Sequence, residues 1–299
     1  MSVPTLCANL RNSIVVAVTK QSLIEGLVRI DVWLVENGKV SSRQKAQELI
    51  GEGRVHLIDA RGRRQLVKKS SLTVPETDFQ IEVAEADGPE FVSRGGLKLL
   101  GALKRLPDFD VRGHTVLDLG ISTGGFTDCL LQAGAHRVVG VDVGHGQLAE
   151  KLRRDSRITL LEGLNVREAS VESSPVRTQI LGANGEARYS RIVIDVSFIS
   201  LKLILPAAAA LLDDLSTATG GSGKILALVK PQFEVGREGL GKNGIVKDAK
   251  LYPQVEAAIR DTCVALGLKV EDFFESPILG SDGNKEFFIY ATNPQVGLF

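Results

Sequence analysis

The stretch 117–128, LDLGISTGGFTD, carries the residue types that invite chemistry. An apolar run meets Asp118, and a turn follows with Gly120, Gly124 and Gly125 around the hydroxyl residues Ser122 and Thr123. Glycines at such a turn let the backbone approach a ligand closely. Three nucleotide loops compete for it. A dinucleotide fingerprint needs G-x-G-x-x-G, but position 122 is serine. A P-loop ends in Gly-Lys-Ser/Thr, but Gly125 precedes Phe126. What stands is D-x-G-x-x-x-G-G. Asp118 offers a carboxylate to a cationic amine, and VVGVDVG ends the next strand with Asp142, placed to accept from both ribose hydroxyls. A ligand with an amine and a ribose but no diphosphate fits S-adenosylmethionine (AdoMet) better than NAD. The bland alternative is that Asp142 only ends a strand and caps a helix.

Two further residues stand where apolar strands end: Asp195 in IVIDVSFISL and Lys230 in LALVKPQFE. In open α/β sheets, ligands sit beyond the carboxyl ends of the strands. Desolvation would lower the pKa of such a lysine and a neighbouring carboxylate would raise it, and a structural ion pair would use the same two residues. The acceptor is narrowed by absences. The chain has no Asn/Asp-Pro-Pro-aromatic motif of amine methylation, and none of Cys7, Cys129 and Cys263 follows a proline as a pyrimidine-attacking cysteine commonly does. A lysine general base points to an alcohol, and the ribose 2′-hydroxyl, found only in RNA, is an obvious one.

These residues need a scaffold. Strand candidates are 115–119, 137–142, 158–161, 191–196, 224–229, 269–274 and 286–291. Helix candidates are 95–106, 125–133, 146–154, 200–212 and 250–266. This alternation predicts an α/β fold with a mainly parallel sheet and helices on both faces. Two stretches, 166–190 and 232–249, read as long loops, and the second, with four glycines, reads as mobile. Upstream lies a different pattern. Ile30, Trp33 and Leu34 share one face of a short helix stopping near Asn37-Gly38. Ser41 or Ser42 can cap a second helix that turns Ala46, Leu49 and Ile50 inward. Gly53 ends it, RVHLI and FQIEVAE alternate as strands, and AEADGPE reads as a linker.

The 299 residues suffice for two domains, with the 43% hydrophobic and 24% charged content of a soluble globular protein. Net charge is +0, so no global field favours nucleic acid. Locally, though, 29–69 holds ten basic residues against five acids. Arg29, Arg43, Lys45 and Arg54 are the candidate phosphate contacts there, with a solvated charged face as the ordinary alternative. Three scattered cysteines fit a reducing compartment, and four histidines without ligand spacing predict no metal. The longest apolar run, LILPAAAALL, is too short to span a bilayer. Residues 1–28, with a single acid, read as a loose extension or an organelle-targeting segment; the expected location is accordingly cytoplasmic, or organellar in the second case.

Taken in order, VSRGGLKL, LDLGISTGGFTDCLL, VVGVDVGHGQLA, IDVSFISL, LVKPQFEVG and NKEFFIY resemble the TlyA family of ribosomal RNA 2′-O-methyltransferases, often labelled hemolysin A. The resemblance runs from about residue 29 to 293. It implies a Rossmann-like class I AdoMet-dependent methyltransferase domain of the FtsJ/RrmJ type at 95–293, an α+β alpha-L RNA-binding module at 29–86, a linker at 87–94 and a tail at 294–299. It implies a Lys-Asp-Lys-Glu tetrad at Lys98, Asp195, Lys230 and Glu286, and cytidine in ribosomal RNA or a ribosomal subunit as the target. Lys230 would be the base, Asp195 its orienting group, Lys98 the partner of the developing oxyanion, and Glu286 the group that orients a lysine. Asn165 joins Asp118, Gly120, Ser122, Thr123, Gly124, Gly125, Asp142 and Asp195 in the cofactor set. Two departures stand out: Ile121 where alanine is usual, and HLIDARGRR where a tight Val-Asn-Gly turn is common. A membrane-active hemolysin and an inactive ribosome-binding assembly factor are the rival functions.

Overall fold

The computed structural model of the protein describes residues 27–293 except 41, 52, 76–78, 85–89, 214–221 and 281–282. The expected extension up to residue 26, the tail, the Ser41 cap and residues 85–89 of the expected linker thus lie outside the described residues. The chain forms two compact units, Met1–Glu90 and Phe91–Phe299.

The first unit contains β1 (Leu27–Arg29), α1 (Ile30–Glu36), α2 (Arg43–Gly51), β2 (Val55–Asp59), β3 (Arg64–Leu66), β4 (Thr73–Pro75) and β5 (Phe79–Val83). Ile30, Trp33 and Leu34 of α1 and Ala46, Leu49 and Ile50 of α2 are buried together against Val55 and Ile81, on the faces that their spacing foretold. Ser42 Oγ accepts from the Lys45 amide at 3.2 Å and so caps α2. β2 is the middle of an antiparallel β3-β2-β5 sheet, and β1 pairs with β4. Strands β1, β3 and β4 were not anticipated, because three residues are too few to display an alternation. In the unusual HLIDARGRR turn, Asp59 Oδ1 accepts the amides of Arg61 and Arg63, both at 2.9 Å, which closes the hairpin by a side-chain route.

The second unit contains α3 (Gly95–Arg105), β6 (Thr115–Leu119), α4 (Gly125–Gln132), β7 (Arg137–Asp142), α5 (Glu150–Arg153), β8 (Ile158–Glu162), α6 (Pro175–Gly182), β9 (Arg191–Ile194), α7 (Leu205–Leu211), β10 (Lys224–Val229), α8 (Leu251–Ala265), β11 (Lys269–Glu275) and β12 (Phe287–Thr292). The seven strands run in the order β11-β12-β10-β9-β6-β7-β8. From β10 through β8 the pairing is parallel; β12 is antiparallel to both of its neighbours. Alternate residues of each strand enter opposite cores. Leu117, Ile192, Ile194 and Ala227 pack with α6, α7 and α8, while Val116, Val193, Leu226 and Leu228 pack with α3 and α4.

Several expectations need correction. Residues 91–94, expected in a linker at 87–94, belong to this unit: Phe91 packs on Gly96, and the Val92 amide donates to Asp128 Oδ2 at 2.9 Å. The helix expected at 146–154 shrinks to α5, because Gly144 and Gly146 donate their amides to Asp142 and Glu162 and keep that chain in a turn. The helix expected at 200–212 divides into a 3-10 turn, Leu201–Leu203, and α7, since Pro206 lacks an amide and is tolerated only near a helix start. The supposed loop 166–190 holds a 3-10 helix at Val166–Ser170 and α6. Ser174 caps α6 by accepting from the Val176 amide at 3.2 Å, with Pro175 opening the helix, a start signal that was present in the sequence. Strand β9 ends at Ile194, one residue before Asp195.

Candidate active site

Sheet direction gathers the site. β6, β7, β9 and β10 are parallel, so Asp118 near the end of β6, Asp142 at the end of β7, Asp195 just past β9 and Lys230 just past β10 share one edge. β12 runs the other way, pairing Val229 with Phe287, so the start of that strand, preceded by Glu286, meets the same edge. Lys98 enters from α3. A side chain on Gly95, the first residue of α3, would stand 3.7 Å from Asp195 Oδ2, so this helix starts against that carboxylate.

The glycine turn is fixed from below and behind. Gly120 has φ +90, and a Cβ there would fall 2.6 Å from the Asp195 carbonyl oxygen, so only glycine fits. Ile121, the departure noted in the sequence, is buried with Leu148 and Leu152 and packs against Gly140. Ser122 has φ +46; its amide donates to Asp142 Oδ2 at 2.8 Å and its hydroxyl to Gln147 Oε1 at 3.0 Å. Thr123 receives the Ala149 amide on its carbonyl at 3.2 Å, and Gly124 caps α4 in a left-handed conformation. Gly125 packs against Ser93 and Gly96. Asn165 begins the 3-10 helix after β8 and accepts from the Arg167 amide at 3.4 Å.

The acids divide in role. Asp142 accepts two amides, from Ser122 and Gly144, both at 2.8 Å. A carboxylate has about four lone-pair positions, so two are left for ribose hydroxyls. Asp118 is wholly buried rather than open to an amine. Its Oδ2 accepts the Thr127 hydroxyl at 2.6 Å, and its Oδ1 has no hydrogen-bond partner among the described residues. Burial pushes this carboxyl up to about 7, with the Asp195 and Asp142 charges adding to the effect and Thr127 opposing it. Three carboxyl groups thus surround the turn. That field suits a cation such as a sulfonium with an ammonium and disfavours a diphosphate.

The four tetrad positions form two ion pairs. Lys98 Nζ donates to Glu286 Oε2 at 2.6 Å, with both side chains buried. Lys230 Nζ lies 2.6 Å from Asp195 Oδ1 and donates to Ser197 Oγ at 2.7 Å. Beside the second pair stands Phe198, 91% exposed and at φ +65. An aromatic residue held in the left-handed region is strained, and it persists only where its surroundings fix it. Its ring meets Phe233, three residues after Lys230, at a centroid distance of 5.4 Å. On one side of this pair, Glu234 accepts the Ser200 hydroxyl at 2.6 Å and the Leu201 amide at 2.7 Å. Burial raises the Glu234 pKa against those two donors. Ser197, Phe198, Thr127 and Glu234 escaped the sequence reading. For Ser197, Phe198 and Glu234 the signal was proximity to the two strand-end motifs, and for Thr127 its place in the glycine-turn stretch itself.

In the first unit, a single buried carboxylate organises two of the four candidate phosphate contacts. Asp31 receives Arg29 bidentately, both bonds at 3.0 Å, together with Arg43 at 3.3 Å and Gln47 at 3.0 Å. The Arg29 guanidinium holds this acid well below the usual carboxylate range, against the cost of burial. Arg29 and Arg43 nonetheless keep about half of their side-chain surface in solvent. Lys45 lies half-buried on α2. Arg54 turns inward, donating to the Ala84 carbonyl at 3.0 Å and Glu90 Oε1 at 3.3 Å.

Residues 91–293 match the model of the FtsJ-like methyltransferase family, and residues 28–57 match the S4 domain. YqxC of Bacillus subtilis, named as a candidate rRNA methyltransferase, is 40% identical over 270 residues, which is 90% of this chain and 87% of that protein. The 16S/23S rRNA (cytidine-2′-O)-methyltransferase TlyA of Mycobacterium tuberculosis is 37% identical over 262 residues, 88% of each chain. A solved structure described as a hemolysin from Streptococcus thermophilus superposes with a TM-score of 0.63 at 36% identity, covering 90% of this chain and 89% of its own. Family match, relatives and fold agree: the chain belongs to the TlyA family of FtsJ-like methyltransferases and carries an S4 domain ahead of the methyltransferase domain.

Proposed function

We propose that the chain methylates a ribose 2′-hydroxyl in ribosomal RNA, at cytidine as its TlyA relative does, with AdoMet as donor. The observation that carries this reading is the pairing of Lys230 with Asp195 and of Lys98 with Glu286 at the sheet edge that also bears the glycine turn. Gly120, Ser122, Thr123, Gly124 and Gly125 would form the cofactor's bed, Asp142 would hold its ribose, Asn165 would flank it, and Asp118 with Asp195 would balance its positive charge. When bound, AdoMet supplies an electrophilic methyl group on a sulfonium.

The chain's own residues do the rest. A ribose hydroxyl attacks well only as its proton leaves, and Lys230 is the amine that takes it. Asp195 neutralises the ammonium that results, and Ser197 fixes the direction of Nζ. General-base help of this kind contributes roughly 10²–10⁴-fold. Lys98, oriented by Glu286, would steady the oxygen as it gains negative charge. Phe198 offers an exposed ring face on which a base could stack, beside the lysine that works on its ribose. Arg29 and Arg43, with Lys45, would grip phosphates, which position RNA without specifying sequence, while Arg54 has a lesser share because its guanidinium is turned inward.

The name hemolysin among solved relatives suggests a lytic alternative. Among the described residues no helix is long and apolar enough to cross a membrane. Mapping 2′-O-methyl groups in ribosomal RNA from cells with and without the protein tests the proposal. The expected result is at least one cytidine methylated only when the protein is present; identical maps would refute it.

A further inference from the structure

The segments that leave β9 and β10 are joined three times as they run from the reaction edge. Lys230 meets Asp195 and Ser197, Phe233 meets Phe198, and Glu234 holds Ser200 and Leu201. The first two joints involve groups that the reaction or its RNA would engage. The third involves a carboxylate that burial disfavours and that no cation bonds among the described residues; Lys202 acts on it only through space. Such a group costs stability to keep. The strained Phe198 lies between the joints, two residues before Ser200 and three after Asp195. A bulky residue stays at positive φ only when both of its flanks are fixed. The Lys230 contacts fix the first flank, and Glu234 fixes the second.

We propose that Glu234 is a positioning residue of the methyl-transfer site. By clamping Ser200 and Leu201 to the turn that follows Lys230, it sets where Ser197 and Phe198 stand and so holds Lys230 Nζ against Ser197 and Asp195. This rests on the reading of Lys230 as the base. A plain helix cap would produce the same two hydrogen bonds, but its loss would lower stability without touching the chemical step.

The test is single-turnover methylation of unmethylated ribosomal subunits at saturating RNA and AdoMet, well below the melting temperature of every variant. Glu234→Ala should slow the step by about 10–100-fold at saturating RNA, the scale of a misplacement near 1 Å, and leave the Kd for AdoMet within about threefold of wild type. Glu234→Gln should recover to within about threefold, because its carbonyl can take the Leu201 amide and its amino group can donate to a rotated Ser200 hydroxyl. Ser200→Ala, which removes one of the two donors and spares the rest, should fall between them and serves if Glu234→Ala folds poorly. In the Lys230→Ala background, adding Glu234→Ala should cost nothing more, since residues that act as a unit are not additive. A Glu234→Ala rate within about twofold of wild type, a glutamine variant as slow as alanine, or a double variant slowed by the full product of the single losses would each overturn the assignment. Lys230→Ala turning over at the wild-type rate would instead remove the base itself, an outcome visible in that variant alone and independent of any change at Glu234.

Discussion

Lys98 on α3 and Glu286 just before β12 are 188 positions apart in sequence, yet their charged atoms meet at 2.6 Å inside the second unit. Each is about a tenth exposed or less, so each charge depends on the other for compensation. Removing one partner of a buried pair strands the other, at a cost of about 3–5 kcal/mol. Glu286→Ala should therefore destabilise the protein by about that amount in denaturant unfolding, while Glu286→Gln, which keeps an acceptor for Nζ but not the compensating charge, should fall between alanine and wild type. A loss below about 1 kcal/mol in the alanine variant would mean that the pair is not buried as described.

Asp118 predicts a pH dependence. The native carboxyl keeps its proton up to about 7, whereas an ordinary aspartate releases it near 3.8. Between those values the folded chain holds the extra proton, so stability from this group falls as pH rises through the window. Binding of a cationic cofactor favours the ionised carboxyl, so AdoMet affinity should rise as pH passes from 6 to 8, with proton release on binding below about pH 7. Calorimetry in buffers of different ionisation enthalpy reads that release directly. Asp118→Asn should abolish the proton release; its persistence would assign it to another group.

Asp142 has two tasks, holding the turn through the Ser122 and Gly144 amides and offering its remaining lone pairs to a ribose. Asp142→Ala should weaken AdoMet binding by about 1–3 kcal/mol. Unchanged affinity in the folded variant, measured by calorimetry, would take Asp142 out of the cofactor site.

The arginine pair on Asp31 is tested by salt. Arg43 is the more exposed of the two and shares Asp31 with Arg29, so Arg43→Ala leaves the buried carboxylate its bidentate partner. RNA affinity should drop most at low salt, and the slope of log K against log salt should become shallower by about one. AdoMet binding should be unaffected. A parallel loss at all salt concentrations would indicate unfolding of the module rather than a lost phosphate contact.

Some of this was legible in the sequence. Asp142, Asp195 and Lys230 each end an apolar run, and a parallel sheet places such ends together. Although the pairing of Lys230 with Asp195 was legible, that of Lys98 with Glu286 was not. It depends on β12 entering the sheet antiparallel, which no local pattern announces. The inward turn of Arg54 and the cover over Asp118 were equally hidden, since residue type says nothing about which neighbours fold over a side chain. The strain at Phe198 could not be read either, because a phenylalanine in a strand-end motif looks like core until the structure shows it in solvent.

The central claim is that Lys230 accepts the proton of the ribose hydroxyl. The most direct measurement is the single-turnover methylation rate of Lys230→Arg beside Lys230→Ala, with AdoMet and RNA affinities matched. Lys230 is paired with Asp195 and about a tenth exposed, so both variants are compared well below their own melting temperatures. Arginine keeps the positive charge beside Asp195 but cannot give up a proton near neutral pH. The account predicts that both variants lose about two orders of magnitude or more, with arginine no better than alanine. Near wild-type turnover in Lys230→Arg would contradict it, showing that the site needs only a cation there and that the base lies elsewhere, with Lys98 the next residue to examine.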